Sequence, residues 1–250
     1  MKNIDVYMVH SDSRGGAVRT QGFIYSVEEH IANQLISEGK ASRVEFNELK
    51  RYEDSVAVLT DDLTIAVEKV LQNNRLTIDA RKSDILSLVN EAKIKADKVQ
   101  SDYIATLKRL KQDAEKRAIS YEEEEKVDWN KIKQDAGIIR TQIVMQPNLI
   151  SVISIINDKL PLLEKPVIRT LLSQFYDIRA ELEKVGSNLK PEIKRQSINE
   201  IYRKILEFSK DEQQVGSDLD YQKLEAKEKY QGNITNQFNK VAERLLRKTS

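Results

Sequence analysis

Residues that could carry acid–base or metal chemistry are few in this sequence of 250 residues. Its only histidines are His10 and His30, and it contains no cysteine. Catalysis would need a nucleophile, a base and an orienting group together, and a metal site needs ligands at defined spacing. Neither histidine has a histidine partner at such spacing, and Tyr7 and Val27 stand where a Glu-x-x-His motif needs glutamate. The sequence therefore predicts no catalytic, cofactor-binding or metal-binding residue.

Acidic side chains occur in short runs that have a simpler interpretation than a cation site. The run Glu122–Glu125 is typical of a solvated helix surface near a helix N-terminus. Asp218 and Asp220 form an Asp-x-Asp pair, but the glycine and distal glutamate of a calcium loop do not follow at the required offsets. Glycine clusters of the phosphate-binding kind are also absent from the sequence, so we expect a protein that is not an enzyme.

The charge balance limits the classes of partner. The chain has 41 Lys and Arg against 40 Asp and Glu, a formal net charge of +1. Binding to nucleic acid through counterion release, or to an anionic membrane surface, needs a clear basic excess. A modest excess of three basic residues lies within 147–250. A weak contact with nucleic acid is possible through six basic residues of this segment, namely Lys194, Arg195, Arg203, Lys204, Arg244 and Arg247.

The sequence also argues against a membrane protein. Its apolar runs are shorter than the roughly 18 residues that would indicate a membrane-spanning helix. The N-terminal residues MKNIDVYMVH lack the hydrophobic region of a signal peptide. We therefore expect synthesis in the cytoplasm and no membrane partner.

Residues 1–46 are predicted to form a separate small module. Half of the eight glycines precede residue 40, whereas the next glycine is Gly137. Ile4 to Val9 and Ala17 to Tyr25 are β-prone stretches joined by the turn-forming run Ser11–Gly16. Ser26 is placed to cap a following helix with Glu29 as the return arm of a capping box, and Gly39 ends that helix. Ala41 to Phe46 predicts a last strand, which gives a ββαβ unit.

This module resembles a small module of tailed-bacteriophage head and neck-associated structural proteins. The resemblance rests on Phe23–Glu29, Ala32, Leu35-Ile36, Gly39-Lys40-Ala41 and Val44, and it covers less than one fifth of the chain. In those proteins a hairpin leads into a short helix that ends in a comparable Leu-Ile, Gly-Lys-Ala, Val pattern. The resemblance implies a packing and attachment unit of a virion, and it transfers no catalytic residue.

From residue 47 onward, apolar residues recur every three or four positions, which predicts long helices with narrow apolar seams. Polar Gln72–Arg75 and Pro147 interrupt the pattern, and Ser209–Ser217 is predicted to be a polar loop. The main predicted seams are Leu49, Tyr52, Val56, Leu59, Leu63, Ala66 and Val70; Ile78, Ile85, Val89, Ala92, Ala96, Val99, Tyr103, Leu107, Leu110 and Ala114; and Trp129, Ile132, Ala136, Ile139 and Ile143.

Residues 149–156 are apolar on almost all sides, unlike these seams. Such a segment is either buried on several sides or held in an interface between subunits, and it could form a helix or a buried strand. Because narrow seams bury little area per residue, we predict that the chain forms a homo-oligomer. The predicted interface residues are Leu149, Ile150, Val152, Ile153, Ile155 and Ile156.

These observations predict a mainly α fold, an elongated antiparallel helical bundle with coiled-coil-like seams that follows the small α+β module. The predicted regions are the docking module 1–46, a long-helix hairpin 47–146 and a helical bundle 147–250. We expect a non-enzymatic structural or assembly protein that self-associates. With the resemblance added, it becomes a virion component associated with the capsid or the head–tail connector. The alternative is an intracellular nucleic-acid-binding or scaffolding regulator that uses the C-terminal basic residues.

Overall fold

The structure, a computed structural model, describes residues 3–13, 17–120 and 128–248. The acidic run Glu122–Glu125 and the end of the predicted turn, residues 14–16, lie outside these ranges. Within them the fold is mainly α, with a small antiparallel sheet near the N-terminus, as the sequence predicted.

The N-terminal module is built from β1 (Asn3–Met8), β2 (Ile24–Glu28), α1 (Glu29–Ser37) and β3 (Ala41–Arg43), which confirms the predicted ββαβ order. Strand β1 lies in the middle of the sheet, and both neighbours run antiparallel to it. The helix packs on one face of the sheet. The small core between them consists of Val6, Met8, Val27, Ala32, Leu35 and Ala41.

The end of α1 follows the prediction, whereas its start does not. Gly39 has φ +68°, its N–H donates to the Ile36 carbonyl, and the Lys40 N–H donates to the Leu35 carbonyl, both at 2.9 Å. These two bonds form a Schellman motif. The predicted Ser26 cap is wrong, because Ser26 pairs with Asp5 inside the sheet and pairing continues to Glu28. The helix therefore begins without a side-chain cap.

The rest of the described chain is mostly helical. The helices are α2 (Asn47–Gln72), α3 (Ile78–Ile119), α4 (Trp129–Val144), α5 (Leu149–Lys159), α6 (Lys165–Ser173), α7 (Phe175–Val185), α8 (Pro191–Ser209), α9 (Glu212–Gln231) and α10 (Asn236–Arg247). A 3₁₀ turn, Leu160–Leu162, follows α5 directly.

Three local predictions need correction. The last strand ends at Arg43 rather than Phe46, because Phe46 is the N-cap residue of α2. The predicted loop Ser209–Ser217 is mostly helix, since Asp211 and Gln214 exchange backbone-to-side-chain hydrogen bonds of 2.8 and 3.1 Å and so start α9. Ile78 and Trp129 are exposed rather than on seams, because each is the first residue of its helix and lies before the packed turns.

The chain divides into two compact units. Unit 1 comprises Met1–Lys116 with Asp218–Ser250, and unit 2 comprises Arg117–Ser217. The predicted domain boundaries after residues 46 and 146 stay a prediction. In unit 1, the seams of α2 and α3 pack with α10 around Val67, Ala96 and Phe238, and with α9 around Tyr103 and Leu224. In unit 2, α4 to α8 enclose one apolar core.

Candidate functional site

The predicted interface segment 149–156 forms α5 in unit 2, which answers the question of helix or strand. Asn148 caps it, since its side-chain oxygen accepts from the Ser151 N–H at 2.9 Å. Three of the six residues, Leu149, Val152 and Ile156, belong to the core of their own chain. Ile153 and Ile155 are partly buried against that core, and Ile150 is 81% exposed. The interface role stays a prediction, and only Ile150 is freely available for it.

The six predicted basic contact residues do not share one helix or one side. Lys194, Arg195, Arg203 and Lys204 all lie on α8, and at about 100° per residue they are spaced around it by roughly quarter turns. Arg244 and Arg247 lie in the last turn of α10 in unit 1, where cations interact favourably with the helix dipole. The four residues on α8 therefore form no continuous basic stripe of the kind that follows a nucleic-acid backbone.

The two histidines make only local contacts among the described residues. His30 Nδ1 lies 3.3 Å from a Glu28 carboxylate oxygen, and both side chains are well exposed. His10 is held through its backbone N–H, which donates to the Lys40 carbonyl at 3.0 Å. Across the described residues, no group of three or more histidines and carboxylates is arranged to hold a metal ion. None of the helices among these residues is long and apolar enough to cross a membrane.

Lys40, part of the Gly-Lys-Ala pattern, pairs with a buried carboxylate of the module. Its Nζ lies 3.1 Å from a carboxylate oxygen of Asp12, and Arg19 lies 3.7 Å from the other oxygen. The Asp12 side chain is almost fully buried, and its backbone also pairs with Arg19. Because a buried carboxylate needs compensating cations, this arrangement holds Asp12 and Arg19 next to Lys40. In the sequence, Asp12 was recognisable only as part of the predicted turn Ser11–Gly16.

A second polar cluster lies inside unit 1, where α9 packs against α2 and α3. Lys227 is buried, and its Nζ lies 2.7 Å from Glu53 Oε1 and 3.2 Å from Gln231 Oε1. The nearby Tyr103 hydroxyl is buried with no hydrogen-bond partner in the described part of the chain. Burial, and then the Glu53 carboxylate, raise the pKa of Tyr103 above its usual range. Neutral at ordinary pH, this phenol is unsuited to act as a base.

Glu53 and Lys227 also border a cleft of about 360 Å³ between the module and α2. Its other charged side chains are Asp5, Glu45, Arg43 and Lys50, so cations and carboxylates balance. Arg43 is already paired with Glu45 at 3.2 Å. This balance of charge favours structural pairing over the binding of a charged ligand.

The surface of unit 2 carries the feature that the sequence analysis missed. Between α4 and the 3₁₀ turn lies a groove of about 220 Å³ with Ile139, Leu163 and Val167 in its lining. Ile138 and Leu162 stand exposed beside it, and Leu162 is 79% exposed. Its charged lining residues are Asp135 and Glu164, neither of which has an ion-pair partner among residues 128–217. The available signal was that Ile138 lies off the α4 seam.

Comparison of the chain with protein families, with curated proteins and with solved structures finds no match.

Proposed function

We propose that this chain is a non-enzymatic structural protein that self-associates, as a virion-associated component of a tailed bacteriophage at the capsid or the head–tail connector. The observation that carries the proposal is the exposure of large apolar side chains on the well-packed helices of unit 2. Ile150, Leu162 and Tyr176 are each about four-fifths exposed. Leu162 and the exposed Ile138 line one groove, and apolar side chains that are exposed side by side on a surface indicate contact with another protein.

The placement in a virion is supported by the resemblance of the N-terminal module. The residues of its pattern have packing roles here. Gly39 ends α1, Lys40 pairs with Asp12, and Leu35 and Ala41 lie in the small core. Such roles are appropriate for an attachment unit, whose surface rather than a reactive centre meets its partner. Weak nucleic-acid contact through the basic residues remains a proposal with less support, because those on α8 are dispersed.

Sedimentation velocity on the purified chain tests self-association. We expect the weight-average mass to rise above the 28.8 kDa of one chain as concentration increases across the micromolar range. A single 28.8 kDa species at every concentration would contradict self-association.

Mass spectrometry of density-purified particles made by the encoding genome tests the virion assignment separately. The chain should be retained in the particles at a fixed ratio to the capsid protein. Its presence in the cell lysate but absence from the particles would remove the virion assignment and leave self-association standing.

A further inference from the structure

We propose that the groove of unit 2 binds a second copy of this chain, through a patch formed by Tyr176 and Arg179 on α7 and Arg195 and Tyr202 on α8. This inference rests on the proposed self-association and names the two surfaces that carry it. The groove is defined by Asp135, Ile138, Leu162 and Glu164. The contact joins the groove of one copy to the patch of the next.

The patch has the composition of a protein contact site. Tyr176 is 85% exposed and lies three residues before Arg179, so the two side chains are neighbours on α7. On α8, Arg195 and Tyr202 are seven residues apart and therefore lie on the same side. The rings of Tyr202 and the core residue Phe175 approach with centroids 5.1 Å apart. Tyrosine and arginine are the residue types enriched at the energetic centres of interfaces.

The patch is also held in place by its own unit. Arg179 Nε lies 3.0 Å from Glu183 Oε1 in a solvent-exposed ion pair at the edge of the α7–α8 cleft. The neighbouring Lys194 has its aliphatic stem against Gly186, where an added Cβ would lie 3.1 Å from Lys194 Cγ. Arg195 has no ion-pair partner within residues 128–217. Pre-ordered side chains lose less conformational entropy on binding.

Charge complementarity selects this pairing over a contact between two identical surfaces. Two grooves facing each other would bring the Asp135 and Glu164 carboxylates of both copies together, which is repulsive. The patch instead offers the cation of Arg195, unpaired within residues 128–217, beside aromatic rings that suit the exposed Ile138 and Leu162. A contact between two different surfaces closes into a dimer or ring when the rotation allows, and otherwise extends as a filament.

A matched pair of substitutions tests the groove. Leu162→Asp should weaken self-association by about tenfold or more, because it places a carboxylate in an apolar contact. Met145→Asp, at a residue of the same unit that is 76% exposed and lies outside the groove, should leave the association constant unchanged. Both side chains are exposed, so both variants should keep the wild-type circular dichroism and Tm. Sedimentation velocity over a concentration series provides the association constants.

A charge exchange tests the pairing itself. Glu164→Arg and Arg195→Glu should each weaken self-association, whereas an equimolar mixture of the two variants should recover association between unlike copies. Failure of the mixture to associate, with both single variants impaired, would overturn the proposed pairing of surfaces.

The remaining outcomes separate this inference from the proposed function. A wild-type chain that stays monomeric removes both. An associating wild type that Ile150→Asp disrupts and Leu162→Asp does not would overturn the inference and favour the 149–156 surface. If Arg195→Glu abolishes the retention of fluorescent oligo(dT) and leaves self-association unchanged, the patch is a nucleic-acid site and the inference is wrong.

Discussion

The hydroxyl groups of Tyr103 and Tyr52 differ in whether they have a hydrogen-bond partner in the described chain. The two rings meet edge to face with centroids 6.3 Å apart in unit 1. The Tyr52 hydroxyl lies 3.1 Å from Thr106 Oγ1, whereas the Tyr103 hydroxyl is buried with no partner in the described chain. An unsatisfied buried hydroxyl costs free energy, and a satisfied one contributes to stability.

Tyr103→Phe should therefore raise the free energy of unfolding by about 1 kcal/mol, because it removes an unpaired polar group without leaving a cavity. Tyr52→Phe is the matched control and should lower it by a similar amount, since Thr106 loses a partner. Urea denaturation at pH 7, followed by circular dichroism, measures both. A loss of stability in Tyr103→Phe would mean that the hydroxyl has a partner, such as a buried water.

Tyr103 also contributes to the loss of stability that we expect at alkaline pH. Burial and then Glu53 raise the pKa of Tyr103, and burial and then Glu225 raise that of Tyr7, above the ordinary 10.0. The unfolded chain then releases these protons at a lower pH than the folded chain, so stability is full below pH 10 and falls above it. Tyr103→Phe should make this fall shallower in urea titrations at pH 8 and pH 10.5. An unchanged slope would contradict the assignment.

Lys227 and Glu53 form the buried ion pair of the same region. Lys227→Met should lower the free energy of unfolding by about 1–2 kcal/mol, because Glu53 loses its cation but keeps partial access to water. Adding Glu53→Gln should recover part of that loss, because the unpaired charge is gone. If the double variant is no more stable than Lys227→Met alone, this account fails.

At the scale of elements, the glycine at the end of α1 and the glycine inside α4 should respond in opposite ways to replacement by alanine. Gly39 has φ +68°, which strains any residue with a Cβ, although space is open around it. Gly137 lies within α4, and an added Cβ would meet nothing within 4 Å. The first glycine is required by backbone conformation, whereas the second only reduces helix propensity.

Gly39→Ala should therefore destabilise the protein by about 1 kcal/mol, and Gly137→Ala should stabilise it by about 0.5–1 kcal/mol. Urea denaturation monitored at 222 nm, with each variant compared with wild type, gives both signs. A stabilising Gly39→Ala would show that the helix can end without the left-handed residue.

The elements also show where local sequence patterns suffice and where they fail. Leu49, Val56 and Leu63 recur every seven residues and are buried as predicted, because helical periodicity is a local property. Ser26 has a local capping pattern, yet it lies in a strand because Asp5, 21 positions earlier, pairs with it. The exposed Ile138 could not be identified as a groove residue, since the groove depends on how α4 meets the 3₁₀ turn.

At the scale of the whole molecule, the contacts that hold the N-terminal module in unit 1 join distant parts of the chain. The Tyr7 hydroxyl donates to Gln222 Oε1 at 3.2 Å, across 215 positions of sequence. Phe23 stacks on Tyr230 of α9, with ring centroids 4.5 Å apart and planes inclined by 22°. No periodicity links these residues, so their pairing could not be predicted from one sequence. Phe23, part of the resemblance pattern, therefore contributes to packing on α9.

Tyr230→Ala should consequently loosen the module without unfolding it. A stacked aromatic pair contributes about 0.5–1.5 kcal/mol, so amide hydrogen exchange in β1, β2 and α1 should accelerate by about two- to tenfold if the module opens as one piece. Trp129→Ala, which removes an exposed aromatic side chain from unit 2, should leave exchange in the module unchanged. Hydrogen–deuterium exchange with peptide-level mass spectrometry measures both variants. Unchanged exchange in β2 of Tyr230→Ala would mean that the stacked pair of Phe23 and Tyr230 does not hold the module on α9.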